Sequence, residues 1–361
     1  MKKLALVLLG LLLTAGGLAT VSAQQTGNTQ TNQGATELAV FFAPTSPDQP
    51  YYQDIQNYLL KNEFVSGGGV AVQWSDIDSG NGVYDFTIPD AAAKMWTDTG
   101  KKIYLYVMAV GEFAPNTVTP QYVWSKLGPK NYTTCNSQQL PNYLSPAFQG
   151  PYKNFIRAVV EHYASNPAVG YIRIGLGKGD ETNPGDGLTG SVCASALNTW
   201  GLTAQSWQDY LVSMLQFEAS LNSPHPLRVG LVKTNFFPQA DVETIAAQAV
   251  ALRIGIGSQG LQKSDVNNCA SSTSDWCELF NEYTGKVPLE LQTLAQSDPT
   301  NQSQTGSLTV LIPFAIANHA DILEIYLQDW LLAYAPDYPG YVQYGAGYRA
   351  VIEAAVDNSR K

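Results

Sequence analysis

Between Leu38 and Gln328, short apolar β-rich runs alternate with stretches long enough for a helix, and the run recurs eight times. The runs are Leu38–Ala43, Gly69–Trp74, Lys102–Ala109, Tyr171–Leu176, Arg228–Thr234, Arg253–Ser258, Val287–Thr293 and Asp321–Gln328. Parallel strands need crossovers of a dozen or more residues, usually helical, and the intervening segments supply them. Helices are expected near Tyr52–Lys61, Pro89–Thr99 (stopped by Gly100), Phe155–Tyr163, Ser206–Ser220, Asp241–Leu252, Asp275–Tyr283 and Tyr348–Asn358. Eight parallel strands close a barrel whose interior the side chains fill. The expected fold is therefore α/β, a single-domain (β/α)8 TIM barrel over residues 37–361. An open doubly wound sheet is the rival, but no Gly-x-Gly-x-x-Gly follows the first run.

The residues ahead of the barrel read differently. Lys2 and Lys3 precede an apolar run, Leu4–Leu18, and Val21-Ser-Ala23 has the small residues of a cleavage site. Residues 1–23 are expected to be a signal peptide, and the polar tract within 24–36 a disordered leader. The apolar run is short for a membrane span, so the mature protein is expected to be secreted or periplasmic, with no membrane association. A net charge of −10 with only 14% charged residues leaves too few cations to neutralise phosphates, which argues against nucleic acid. Cys135, Cys193, Cys269 and Cys277 suit two disulfides in an exported chain. Three pairings are open. Cys269–Cys277, closing a short loop, and Cys135–Cys193, tying neighbouring loops, are favoured over a zinc site, because no Cys-x-x-Cys occurs.

In barrels of this type the site is built from the C-terminal ends of the strands. Glu181 follows the fourth run, in Gly-Lys-Gly-Asp180-Glu181. Glu290 interrupts the apolar seventh, Val-Pro-Leu-Glu-Leu-Gln-Thr, and Glu324 the eighth. An ionisable group inside an apolar strand is costly unless it is paired or does chemistry. Glu290 is thus either a buried partner of an arginine or a reacting group. Strands four and seven face each other across a closed mouth, and two opposed carboxylates are the equipment for cleaving a glycosidic bond. Gln73, Trp74, Asp180, Asn183, Gln259, Gln292, Glu324, Tyr326 and Trp330 sit at or near strand ends and form the candidate sugar-binding set. No phosphate loop, EF-hand spacing or Gly-x-Ser-x-Gly elbow accompanies them. Neither a metal nor an organic cofactor is expected, the expected partner is an oligosaccharide or polysaccharide, and no feature speaks to oligomeric state.

Trp74-Ser-Asp-Ile-Asp78 and Gly82-Val-Tyr-Asp-Phe86, with Gly100-Lys-Lys and a β run behind them, resemble the second and third strands of clan A glycoside hydrolases, β-galactosidase-like members in particular. The resemblance implies a (β/α)8 barrel, retention of configuration, Glu181 as acid/base and Glu290 as nucleophile. Trp330 resembles the clan's aromatic floor of the sugar subsite. Two positions depart from the pattern: Asp180 stands where the clan has Asn, and Ser258-Gln259 where a tyrosine is expected. Ile174-Gly-Leu-Gly-Lys-Gly-Asp-Glu181 is also similar to a β-amylase segment, which implies inversion with Glu181 as the acid. A non-catalytic polysaccharide-binding barrel is the third possibility.

Overall fold

The structure, a computed structural model, describes residues 36–359 except 43, 45, 81, 112–115, 186–187, 189–190 and 271–274. The expected signal peptide and all but the last residue of the expected leader lie outside the described residues.

Eight parallel strands close into a barrel: β1 (Glu37–Phe41), β2 (Gly67–Gln73), β3 (Lys102–Met108), β6 (Val169–Ile174), β7 (Leu227–Leu231), β8 (Gly255–Leu261), β9 (Leu289–Thr293) and β10 (Ile322–Tyr326). A small antiparallel hairpin, β4 (Tyr132–Cys135) and β5 (Gln138–Pro141), stands outside it. β1 pairs with β10 along its whole length, from Glu37 opposite Ile322 to Phe41 opposite Tyr326, and this pairing seals the ring. The strand runs were legible to within a few residues because parallel strands, buried on both faces, are continuous apolar stretches.

Two packing layers share these strands. Outward side chains such as Val40, Val72, Leu105, Ile172 and Ile174 join the helices in one large core. Inward ones, Ala39, Phe41, Tyr104, Tyr106, Tyr171 and Ile322, fill the barrel. The three consecutive glycines of β2 follow from this alternation. A Cβ at Gly69 would lie 2.2 Å from the ring of Tyr106, and one at Gly68, on the opposite face, 2.2 Å from Trp96. β2 is hollow so that the large rings of its neighbours fit.

The connections hold most of what the sequence left unread. Gly111–Pro151 is not one excursion. It contains the helix Gln121–Leu127 and the hairpin, and the next helix already starts at Pro146, with Ser145 capping it and Pro151 inside it. The stretch before Thr203 carries the helix Ser191–Trp200, and both cysteines of the later loop lie on helices, Lys263–Ala270 and Asp275–Tyr283. Leu308–Ala317 and Leu327–Tyr334 are further helices. Such short helices are held by tertiary packing more than by propensity, so their signal in sequence is weak. Both favoured disulfides form: Cys135–Cys193 fastens the hairpin to the helix Ser191–Trp200, and Cys269–Cys277 links the two short helices.

On the helix Ala204–Ser220, Glu218 is fully buried and neither carboxyl oxygen has a hydrogen-bond partner among the described residues. Burial pushes its carboxyl well above the ordinary glutamate range. A raised folded-state value means that stability is fully present below the unfolded value and is lost as pH rises toward the folded one. Glu218→Gln is therefore expected to stabilise the chain by at least about 1 kcal/mol at pH 8 and by much less at pH 4, read by urea denaturation at both. An equal effect at the two pH values would show that Glu218 does not titrate between them.

Candidate active site

Strand β6 reads Val-Gly-Tyr-Ile-Arg-Ile, and alternation turns Tyr171 and Arg173 into the barrel while Ile172 and Ile174 face the helices. Arg173 is fully buried and gathers three acids. Its Nε donates to Asp180 Oδ2 at 2.7 Å, and Nη2 also bonds that oxygen. Nη1 donates to Glu324 Oε2 at 2.8 Å and to Glu290 Oε1, while Nη2 reaches Gln292 Oε1 at 3.2 Å. The guanidinium lies 4.3 Å from the ring centroid of Tyr106. Burial disfavours its charge, but Asp180 and Glu290 outweigh that and hold it firmly protonated.

Glu290 fits where it does because β8 has no side chain opposite it: a Cβ at Gly257 would come within 3.1 Å of the glutamate's own Cβ. Its Oε1 is committed to Arg173. Its Oε2 has no hydrogen bond among the described residues, and Nη1 of Arg228 stands 3.6 Å away. Arg228 in turn lies over the ring of Tyr171 at 4.3 Å. On β10, Glu324 Oε1 accepts from the hydroxyls of Tyr106, at 2.6 Å, and Tyr171. Burial pushes Glu324 up to about 8, against the pull of the Tyr106 hydrogen bond. Arg173 thus faces Asp180, Glu290 and Glu324, and Arg228 faces Glu290.

The loop after β6 carries Glu181 in a compact knot. Leu176 N and Gly177 N both donate to Glu181 O, at 3.0 and 2.8 Å, and Lys178 N donates to Asn183 O at 2.6 Å. A Cβ at Gly177 would sit 2.0 Å from Asn183 O, and Gly179 is left-handed at φ 64°, so the glycines are required by the backbone's own path. Thr182 N donates to Gly230 O on β7, and the side chains of Trp207 and Tyr152 hold Thr182 O and Gly175 O from outside. Glu181 is half-buried at the rim of this knot, beside the buried Asp180.

The other expected residues divide. Asp180 and Glu324 belong to the arginine cluster, and Gln292 is attached to it. Asn183 is buried and uses Oδ1 to accept from Gly185 N at 2.9 Å. Gln259 is buried with neither atom of its amide hydrogen-bonded among the described residues, and its amide lies against Gly230. Gln73 and Tyr326 line a cavity of about 400 Å³ at the mouth.

Trp74 and Trp330 stand apart from these. Both are fully buried in the outer layer. Trp74 stacks on Phe155 and donates from Nε1 to Asp78 Oδ2 at 3.0 Å. Trp330 stacks on Tyr334 and donates to Ala39 O at 3.3 Å. Each packs into the helix layer because its residue begins or lies within a helix (Trp74–Ile77, Leu327–Tyr334), not on the strand. Their faces are therefore taken by protein, and the structure does not bring them to the site.

Sequence reasoning missed Arg173, Arg228, Tyr106 and Tyr171. The rule that flagged Glu290, an ionisable group inside an apolar strand, applies equally to Ile172-Arg173-Ile174. Among the described residues no group of three or more His, Cys, Asp or Glu is placed to hold a metal.

No known sequence family and no curated protein matches the chain. Solved structures do. The catalytic domain of the β-amylase from Paenibacillus polymyxa superposes with a TM-score of 0.59, covering 87% of this chain and 100% of that one at 10% identity. The β-galactosidase from the psychrophilic Marinomonas ef1 gives 0.51, covering 81% of this chain at 11% identity, and this chain spans 54% of its length. With the closed ring of parallel strands, these likenesses establish a (β/α)8 barrel fold.

Removing the cation from a buried ion cluster strands its acids. Arg173→Gln is expected to cost about 3–5 kcal/mol at pH 7. Chemical denaturation of both proteins reads this directly. A loss under about 1 kcal/mol at pH 7 would mean that the cluster does not hold the barrel together.

Proposed function

We propose that the chain is an exported glycoside hydrolase that cleaves a β-glycosidic bond by a two-glutamate retaining mechanism, with Glu181 as acid/base and Glu290 as nucleophile. The observation that carries this reading is the asymmetric setting of Glu290. One oxygen is fastened by Arg173 while the other has no hydrogen bond among the described residues and only a longer contact, 3.6 Å, with Arg228. A buried polar atom without a hydrogen bond calls for an explanation, and a reacting position is one.

In this reading Glu290 bonds to the anomeric carbon as Glu181 passes its proton to the departing oxygen. Glu181 then takes a proton from the water that releases the sugar, with configuration retained. Gln292 lies two residues nearer the mouth on the same strand face as Glu290, so an entering sugar has to turn it aside. The expected signal peptide and the two disulfides support export, since disulfides persist in oxidising compartments. No helix among the described residues is long and apolar enough to cross a membrane.

The complete burial of Glu290 favours a second reading, a barrel that binds polysaccharide without cleaving it, with Glu290 serving only as a partner of Arg173. Turnover decides between the two. Incubation with aryl β-glycosides and with starch, followed by NMR of the first-formed anomer, is expected to show a β product from a β-glycoside. Glu181→Gln is expected to lower kcat by about 10²–10⁴-fold on substrates with poor leaving groups. Added azide should rescue Glu290→Ala by forming an α-glycosyl azide, which a merely structural glutamate would not allow. Polysaccharide binding that survives Glu290→Gln, with no turnover by the folded parent chain, would establish the second reading.

A further inference from the structure

The cavity at the mouth lies on its β1–β2–β10 side, and its volume of about 400 Å³ falls in the range of roughly 300–1,000 Å³ usual for small-molecule sites. Phe41 joins it to the ion cluster. This ring is 5.1 Å from Tyr326, 5.5 Å from Tyr106 and 5.9 Å from the Arg173 guanidinium, so the cavity adjoins the buried acids.

Phe42 and Tyr51 line it as well, and both have left-handed backbones, φ 43° and 66°. That conformation is costly for a bulky residue, and strain of this kind concentrates at ligand sites. Tyr51 is 38% exposed, which leaves ring surface open to solvent. Besides the hydroxyls of Tyr51 and Tyr326, the polar side chains of the lining are amides: Gln49, Gln73 and Gln328. No Asp, Glu, Lys or Arg is among its described lining residues.

This composition selects by charge. Recognition of a carboxylate or sulfate calls for Arg or Lys, which the lining lacks, and a chain of net charge −10 repels an anionic polymer from a distance. A neutral pyranose has what the lining can satisfy: an apolar face for aromatic rings, and hydroxyls for amides that both donate and accept. We propose that this cavity is a subsite for an uncharged sugar ring, and that the glycan handled here is neutral, neither a uronide nor a sulfated polymer. The proposal deepens the glycoside-hydrolase reading and rests on it for placing a sugar at this mouth.

Calorimetric titration of the full chain tests it. The probes are neutral β-linked gluco-, manno-, xylo- and galacto-oligosaccharides and β-linked glucuronate oligomers of equal length, with turnover measured alongside. At least one neutral oligosaccharide is expected to bind, and glucuronate oligomers are not. Phe42→Ala and Tyr51→Ala are each expected to weaken the neutral ligand about tenfold at an unchanged melting temperature, the effect of one ordinary aromatic contact. Phe42→Gly, which suits the left-handed backbone, replaces Phe42→Ala if the latter unfolds. Glucuronate binding as tight as neutral binding, no neutral binding at all, or neutral binding that both variants leave intact overturns the proposal. Neutral binding lost in the variants, without turnover, keeps the subsite and removes the hydrolase. Turnover with unchanged kinetics in both variants removes the subsite and keeps the hydrolase.

Discussion

One buried guanidinium organises the inside of this barrel. Arg173 reaches from β6 to β9 and β10 and back to the loop that follows its own strand, joining the fully buried Glu290 and Glu324 to the nearly buried Asp180. Taking such charges out of water is expensive and is offset only when every partner is well placed. The surroundings meet that demand in steps. Tyr106 and Tyr171 bond Glu324, the ring of Tyr106 lies against Arg173, and glycines on β2 and β8 make room for Tyr106 and for Glu290. Burial also pushes the Glu324 carboxyl up to about 8.

The same cluster connects the fold to its mouth. Asp180, bound to Arg173, immediately precedes Glu181, whose loop is fastened by backbone bonds to β7 and by Trp207 and Tyr152 from the helix layer. The position of the rim acid is thus tied to the buried one through Arg173 and a single peptide step. A barrel centre filled with valine and leucine would be easier to stabilise. This one carries charge at its centre instead.

The eight strands could be read from sequence because each is buried on both faces and so appears as an apolar run, and the count of eight implies closure. Glu290 and Glu324 could be read for the opposite reason, as charges where none is cheap. Arg173 obeyed the same rule and was passed over. Trp74 and Trp330 were misplaced because an aromatic residue at a strand end serves equally as core or as ligand platform, and only the helix that starts there decides which. The cavity-lining Phe42 and Tyr51 carried no periodic signal, because their role arises from a left-handed backbone that sequence does not display. The two disulfide pairings were favoured on loop proximity, and proximity sufficed.

The central claim is that Arg173 holds Glu290 ready to meet a sugar. The most direct measurement is a crystal structure of the Glu181→Gln chain with a bound β-linked oligosaccharide. The claim predicts Gln292 turned aside, Glu290 still paired with Arg173, and its other oxygen within about 3–3.5 Å of an anomeric carbon. A sugar lodged at the mouth with Glu290 still sealed beneath Gln292 would contradict it.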